Sequence, residues 1–200
     1  MKYAILGAGG FAKEVREVLL DLGTRPEMVQ FYVEERFKAN NSTAKGFLEL
    51  PRDDHHVAYL GVGDGKLRAN WLTQFQNNCD FAPLIHPAAI LGNNVQLGKG
   101  VIVTAYSHLT CDIIVGDGVQ LNLQTTVGHD CVIGDFVTTA PKVAISGNVR
   151  VGKHVSLGTS STVLPGVSIC DDVVVGAGAV VTKDITEPGT YVGVPAKRIF

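Results

Sequence analysis

Read from Ile85 in steps of six, the chain places an aliphatic side chain at sixteen of seventeen positions. These are Ile85, Leu91, Leu97, Val103, Leu109, Val115, Leu121, Val127, Ile133, Ile145, Val151, Leu157, Val163, Ile169, Val175 and Val181, with Thr139 as the exception. No insertion interrupts the count. The next residue is often glycine, at 92, 98, 116, 128, 134, 152, 158 and 176. The fifth residue of each hexad is small or β-branched almost throughout, as in Ala89, Val95, Val101, Val119, Val137, Val149, Val155, Val167 and Val173. A period of six matches neither the helical repeat of about 3.6 nor the strand alternation of about 2.

It does match a triangular coil in which each hexad supplies one short strand and one turn. The aliphatic residue then points inward, glycine is expected at each corner for its φ freedom and for close approach, and successive coils stack as in other solenoids. An ordinary β-sandwich spaces its strands irregularly and fits poorly. The pattern resembles the hexapeptide-repeat left-handed parallel β-helix, with three hexads per coil. Seventeen hexads predict five to six coils, a prism roughly 25 Å tall at a strand spacing of ~4.8 Å.

Composition narrows the function classes. Hydrophobic residues are 46% and aromatics 7%, so the core is aliphatic. A formal net charge of −2 argues against a nucleic-acid partner, which would need a basic surface. No apolar run approaches the roughly 20 residues of a membrane span. Cys79, Cys111, Cys131 and Cys170 form no C-x-x-C pair and no zinc-finger spacing, so neither a metal nor a redox motif is expected. Met1-Lys2 runs directly into a short apolar segment, which predicts no secretory leader, reduced thiols and a cytoplasmic chain.

Residues 1–82 lack the six-residue period. Tyr3 to Leu6 reads as a strand, Gly7-Ala8-Gly9-Gly10 as a turn, and Phe11 to Leu22 as a helix with Val15, Val18, Leu19 and Leu22 on one face. Strand, Gly-rich turn and helix open a Rossmann-like unit, whose free helix N–H groups face an anion. Met28 to Val33 reads as a second strand ending at Glu34-Glu35, where a carboxylate can accept from a ribose hydroxyl or a base N–H. Val57 to Leu60 reads as a third, closed by Gly61-Val62-Gly63-Asp64 and followed by a helix over about Lys66 to Gln76. The fingerprint G-x-G-x-x-G ends on Ala12. The domain is small for a whole dinucleotide and suits one mononucleotide-like group. Phe81-Ala82-Pro83 marks the boundary.

Within the repeat, Gly128-His129-Asp130 breaks the apolar pattern most sharply. His129 occupies the third, outward position of its hexad, with Cys111 one coil below and Gly147 one coil above. A neutral imidazole there can take a proton, Asp130 can fix its tautomer if the two meet, and Gly147 can offer a backbone N–H to an oxyanion. The other histidines read as structural: His86 as a cap of the first coil, His55 and His56 as exposed loop, His108 and His154 as turns. His108, His129 and His154 are 21 and 25 residues apart, off the coil register, which disfavours a shared zinc.

The chain as a whole resembles the sugar O-/N-acyltransferases typified by sialic acid O-acetyltransferases and bacillosamine-pathway acetyltransferases. The resemblance rests on Gly7 to Val15, Leu84-Ile85-His86-Pro87, Val127 to Asp135, Ser146-Gly147-Asn148-Val149 and Gly193-Val194-Pro195-Ala196-Lys197. It implies a Rossmann-like nucleotide-sugar-binding domain over 1–82, a left-handed β-helix acyltransferase domain over 83–186 and a CoA-contacting tail over 187–200. It further implies acetyl-CoA as co-substrate, a homotrimer with active sites between subunits, and a place in cell-surface polysaccharide biosynthesis. By the resemblance His129 is the catalytic base, Asp130 its carboxylate partner and Gly147 the amide beside the thioester carbonyl. Gly147, Gly158, Gly176, Gly193, Pro195 and Lys197 are then expected along acetyl-CoA. Gly7, Gly9, Gly10, Glu34, Glu35, Gly61, Gly63 and Asp64 are expected around the nucleotide sugar. Two departures stand out: Thr138 replaces a frequent second His, and Phe11 a His of the first Gly-rich turn. The function expected is N-acetylation of a nucleotide-linked amino sugar of the 4-amino-4,6-dideoxyhexose type. Sugar O-acetylation of the sialic-acid type and a non-catalytic trimeric scaffold or sensor stand as alternatives.

Overall fold

A computed structural model describes residues 2–40, 43–51 and 56–199. Four parallel strands form an N-terminal sheet: β1 (Lys2–Leu6), β2 (Val29–Val33), β3 (Lys45–Gly46) and β4 (His56–Leu60), in the order β3-β2-β1-β4. Helices α1 (Gly10–Asp21), the short α2 (Glu35–Lys38) and α3 (Gly65–Phe75) complete this part. Helix α1 buries Ala12, Val15, Val18 and Leu19, spaced at three and four residues on one face. The second strand starts at Val29 because Pro26–Met28 forms a 3-10 turn, with Pro at its first positions.

From Leu84–Ile85 to Val180–Val181 the chain winds through seventeen short strands, β5 to β21, as a left-handed parallel β-helix. Residue pairs on adjacent coils are eighteen apart, as in Gln120↔Thr138 and Thr138↔Ser156. Strands β22 (Gly189–Val192) and β23 (Lys197–Arg198) extend one face, β22 parallel to β20 (Val173–Val175) and β23 antiparallel to β22. From Val103 to Val181 every sixth residue is buried, and each aliphatic one contributes about 1.5–3 kcal/mol relative to exposure. Thr139 is equally buried, with its hydroxyl 2.8 Å from Thr125 Oγ1 and accepting the Asn122 N–H at 3.0 Å. The polar exception is thus satisfied internally.

The turns correct one expectation. Left-handed φ falls on the fourth residue of the hexad, two positions after the repeating glycine. All fifteen fourth positions from Asn94 to Gly178 have φ between 55° and 75°, and eleven are not glycine. From Asp112 to Gly178 their N–H groups bond to the coil below, as in Asp130 N–H to Cys111 O and Asn148 N–H to His129 O, which offsets a conformational cost of about 1–2 kcal/mol each. The second-position glycines serve close approach alone. A Cβ on Gly158 would lie 2.6 Å from Ala177 N, and one on Gly98 2.7 Å from Asp117 N.

Two histidines also sit otherwise than expected. His56 is buried in β4, paired in register with Lys2, and is not loop; His55 lies outside the described residues. His108 belongs to a strand, His108–Leu109, and not to a turn. His86 secures the first coil by accepting the Ala88 N–H at 2.9 Å, with Nε2 2.9 Å from Asp21 Oδ2 of α1. Among the described residues no helix is long and apolar enough to cross a membrane.

The two kinds of glycine separate by experiment. Gly158→Ala is expected to destabilise by ~1–3 kcal/mol through overpacking. Gly166→Asn, at an open fourth position with φ 75°, should stay within ~0.5 kcal/mol of the parent. Denaturant midpoints decide, and equal losses in the two variants would contradict this division.

Candidate active site

His129 sits on the corner between strands β12 (Thr126–Val127) and β13 (Val132–Ile133). Adjacent residues of a strand point to opposite sides, but Asp130 takes the left-handed turn conformation (φ 59°). The turn brings the two side chains together, with His129 Nδ1 2.7 Å from Asp130 Oδ2 and both side chains more than half exposed. With Nδ1 donating to the carboxylate, Nε2 carries the free lone pair. The ring lies over Gly147 one coil above, where a Cβ would come within 2.6 Å of Nε2. Only glycine leaves this space. Among the described residues, no acceptor takes the Gly147 N–H. A proton acceptor, its orienting carboxylate and an unused N–H donor therefore share one corner. Cys111, one coil below, has its thiol pKa raised by desolvation and by Asp112 and Asp130, so it is a neutral thiol at physiological pH.

A second feature lies at the carboxyl ends of the N-terminal strands, where α/β sheets bind ligands. A cleft of ≈ 380 Å³ is lined by Gly7, Ala8, Gly9, Val33, Glu34, Arg36, Phe37, Val62, Leu67 and Trp71. Gly9 caps α1 without a side chain, which exposes the first helical N–H groups. Arg36 donates to Glu34 at 2.7 Å and lies 4.8 Å over the Phe37 ring at the cleft wall.

Of the residues expected here, Gly7, Gly9 and Glu34 line the cleft, and Gly10 opens α1 beside it. Glu35 turns away: its carboxylate sits against Gly46 and accepts the Leu48 N–H at 3.1 Å. Gly61 packs on Ile5 and Ala12, and Gly63 turns its carbonyl inward. Asp64 caps α3 by accepting from Lys66 and Leu67 N–H. It faces a separate groove with Lys66, His154, Ser156 and Asp172. There the His154 ring stacks on Phe136 at 5.4 Å, and His154 holds the turn position expected of it, with φ 56°.

The glycines expected along acetyl-CoA hold visible structural positions. Gly158 and Gly176 admit neighbouring backbone or side chain, Ala177 in one case and Val192 in the other. Gly193 has φ 94°, the Val194-Pro195 bond is cis, and Lys197 pairs with Val192. Among the described residues no group of three or more His, Cys, Asp or Glu side chains is placed to hold a metal ion.

Sequence reasoning missed Arg68. It is fully buried on the face of α3 that also buries Trp71, Leu72 and Phe75. This three-and-four spacing was the available signal. Its guanidinium donates to Gly118 O, Val62 O, Gly63 O, Gln120 Oε1, Phe136 O, Val137 O and Thr138 Oγ1 at 2.7–3.2 Å. Burial pushes its pKa down to about 10, with Asp64 acting in the opposite direction. Thr138, at the position of the missing His, accepts from Arg68 and donates to Gly63 O at 3.1 Å.

The chain is similar to known proteins over both of its parts. Residues 148–183 match the family described as hexapeptide repeat of succinyl-transferase. PerB of Caulobacter crescentus, solved with CoA and GDP-perosamine, is 31% identical with a TM-score of 0.89, over 100% of this chain and 98% of its own. The acetyltransferase domain of PglB from Neisseria gonorrhoeae FA1090 is 30% identical with a TM-score of 0.88, over 99% of each chain. A UDP-3-O-acylglucosamine N-acyltransferase of Herminiimonas arsenicoxydans is 32% identical over 106 residues, which is 53% of this chain. The match spans only 30% of that curated relative's length.

The corner makes a local prediction. Gly147→Ala should displace the His129 imidazole, because the new Cβ takes the space beside Nε2. The His129 ring resonances should shift while those of His86 stay in place. Unmoved His129 resonances would contradict the stacking.

Proposed function

The chain belongs to the hexapeptide-repeat sugar O-/N-acyltransferases, and we propose that it acetylates the amine of a nucleotide-linked amino sugar of the 4-amino-4,6-dideoxyhexose type. Acetyl-CoA is the donor. The observation that carries this reading is the His129 corner: Nδ1 bound to Asp130 at 2.7 Å, Nε2 free, and the Gly147 N–H without an acceptor among the described residues. PerB, with CoA and GDP-perosamine, supports the donor and acceptor classes.

The neutral amine attacks the thioester carbon directly. A C–N bond forms as the carbonyl π electrons move to oxygen, and Nε2 of His129 takes the amine proton. Asp130 holds the Nδ1 tautomer and stabilises the imidazolium. The oxyanion accepts the Gly147 N–H, a donor already in place before charge develops. Collapse breaks the C–S bond, and the CoA thiolate leaves with the proton from His129. Positioning supplies much of the rate.

The nucleotide occupies the cleft of Gly7, Gly9 and Glu34, with Gly10 opening α1 beside it. The CoA arm runs past Gly147, Gly158 and Gly176 towards Gly193, Pro195 and Lys197. Active sites lie between the prisms of a homotrimer. Ile90 and Ile114 are 57% and 50% exposed on two prism faces, apolar surface that a second prism would cover. The reaction belongs to cytoplasmic steps of cell-surface polysaccharide biosynthesis.

His129→Ala should lower kcat/KM for the amino sugar by ~10²–10⁴, with CoA binding and Tm unchanged. Full turnover by this variant would remove His129 as the base. Turnover of a hydroxyl sugar in place of an amino sugar would move the reading to O-acetylation.

A further inference from the structure

Arg68 is a fully buried cation whose hydrogen-bond partners are all neutral. Burying a charge without a carboxylate is costly unless every donor is used, and the guanidinium fork has five N–H groups to satisfy. The seven acceptors come from two places. Gly118, Gln120, Phe136, Val137 and Thr138 belong to two successive coils of the β-helix. Val62 and Gly63 belong to the loop between β4 and α3, and Val62 lines the N-terminal cleft.

Gln120 reinforces the same loop by donating Nε2 to Leu60 O at 2.7 Å and Val62 O at 3.0 Å. Thr138 adds a bond to Gly63 O. Within a trans peptide the C=O and the next N–H point in opposite directions. Drawing the carbonyls of Val62 and Gly63 onto Arg68 therefore turns the N–H groups of Gly63 and Asp64 away from the buried guanidinium. Among the described residues neither N–H has an acceptor.

We propose that Arg68 is a positioning residue which, through Val62 and Gly63, holds the Val62 wall of the acceptor cleft in register with the prism and so sets the cleft's fit to the bound nucleotide. The inference rests on the reading of the cleft as the nucleotide site. It assigns Arg68 no contact with ligand. Lysine keeps the charge but cannot hold both elements at once, because it lacks the planar fork.

The test is calorimetric binding of UDP, dTDP and GDP, and separately of CoA, to the full chain and to Arg68→Lys and Thr138→Val. Thr138→Val keeps the shape and guards against loss of fold in the arginine variant. The expected result is a Kd for the preferred nucleotide raised at least tenfold in Arg68→Lys and about threefold in Thr138→Val, with the CoA Kd within twofold of the parent. In turnover the acceptor KM rises while the acetyl-CoA KM does not. Unchanged nucleotide binding in both variants overturns the proposal. So does a parallel loss of nucleotide and CoA sites in proportion to unfolded protein, which is a merely structural role. A parent chain that binds none of the three nucleotides overturns the cleft reading and this inference with it. A parent that binds nucleotide but turns over no amino sugar sinks only the proposed reaction.

Discussion

The His129 corner depends on a stack with a fixed eighteen-residue register, as in Thr126↔Ala144 and Ala144↔Thr162. Inward aliphatics hold the stack from within, and backbone hydrogen bonds hold it at both strands and turns. The turns are laddered because each fourth residue from Asp112 to Gly178 accepts left-handed φ and gives its N–H to the coil below. A corner is therefore hydrogen-bonded to its neighbouring coil as a strand is. His129 between Cys111 and Gly147 is placed by that ladder, and its neighbour Asp130 reaches its ring only because the same turn conformation bends the chain there. Under the proposed reading the members of the site are held by packed backbone: one turn supplies two side chains and the next a bare N–H.

The N-terminal sheet meets this scaffold through a different device. Its cleft wall is tied to the prism by a guanidinium that has left water completely. Such a group contributes little net stability compared with an apolar substitute, and its attested use is to specify one arrangement. With donors committed to two coils and to the β4–α3 loop, few other placements of Arg68 satisfy them all. Geometry at the cleft is thereby coupled to geometry at the prism.

Much of the fold could be read from the sequence because a six-residue period has a single structural solution. The period could not say which turn residue bears the strained φ, since asparagine, aspartate, histidine and even Phe136 carry it as well as glycine. Side-chain direction was the other limit. The His129–Asp130 contact needs the left-handed turn to exist, and Glu35 leaves the cleft because its carboxylate finds the Leu48 N–H thirteen residues on. His56 reads as loop beside Asp53-Asp54-His55, yet pairing with Lys2 makes it strand. Arg68 stayed hidden because an arginine on a helix is usually solvated. Its spacing with Trp71, Leu72 and Phe75 marks the buried face of α3, but the prism acceptors that satisfy its charge lie fifty or more residues away in sequence.

The proposed reaction joins the cleft's acceptor to the His129 corner in a single transfer centre. Free-thiol release from acetyl-CoA, measured against UDP-, dTDP- and GDP-linked 4-amino sugars beside free sialic acid, tests it most directly. Rapid release with one nucleotide-linked amino sugar is expected, with formation of the N-acetyl product in equal amount. Release with free sialic acid alone would contradict it, because the nucleotide cleft would then have no part in the reaction.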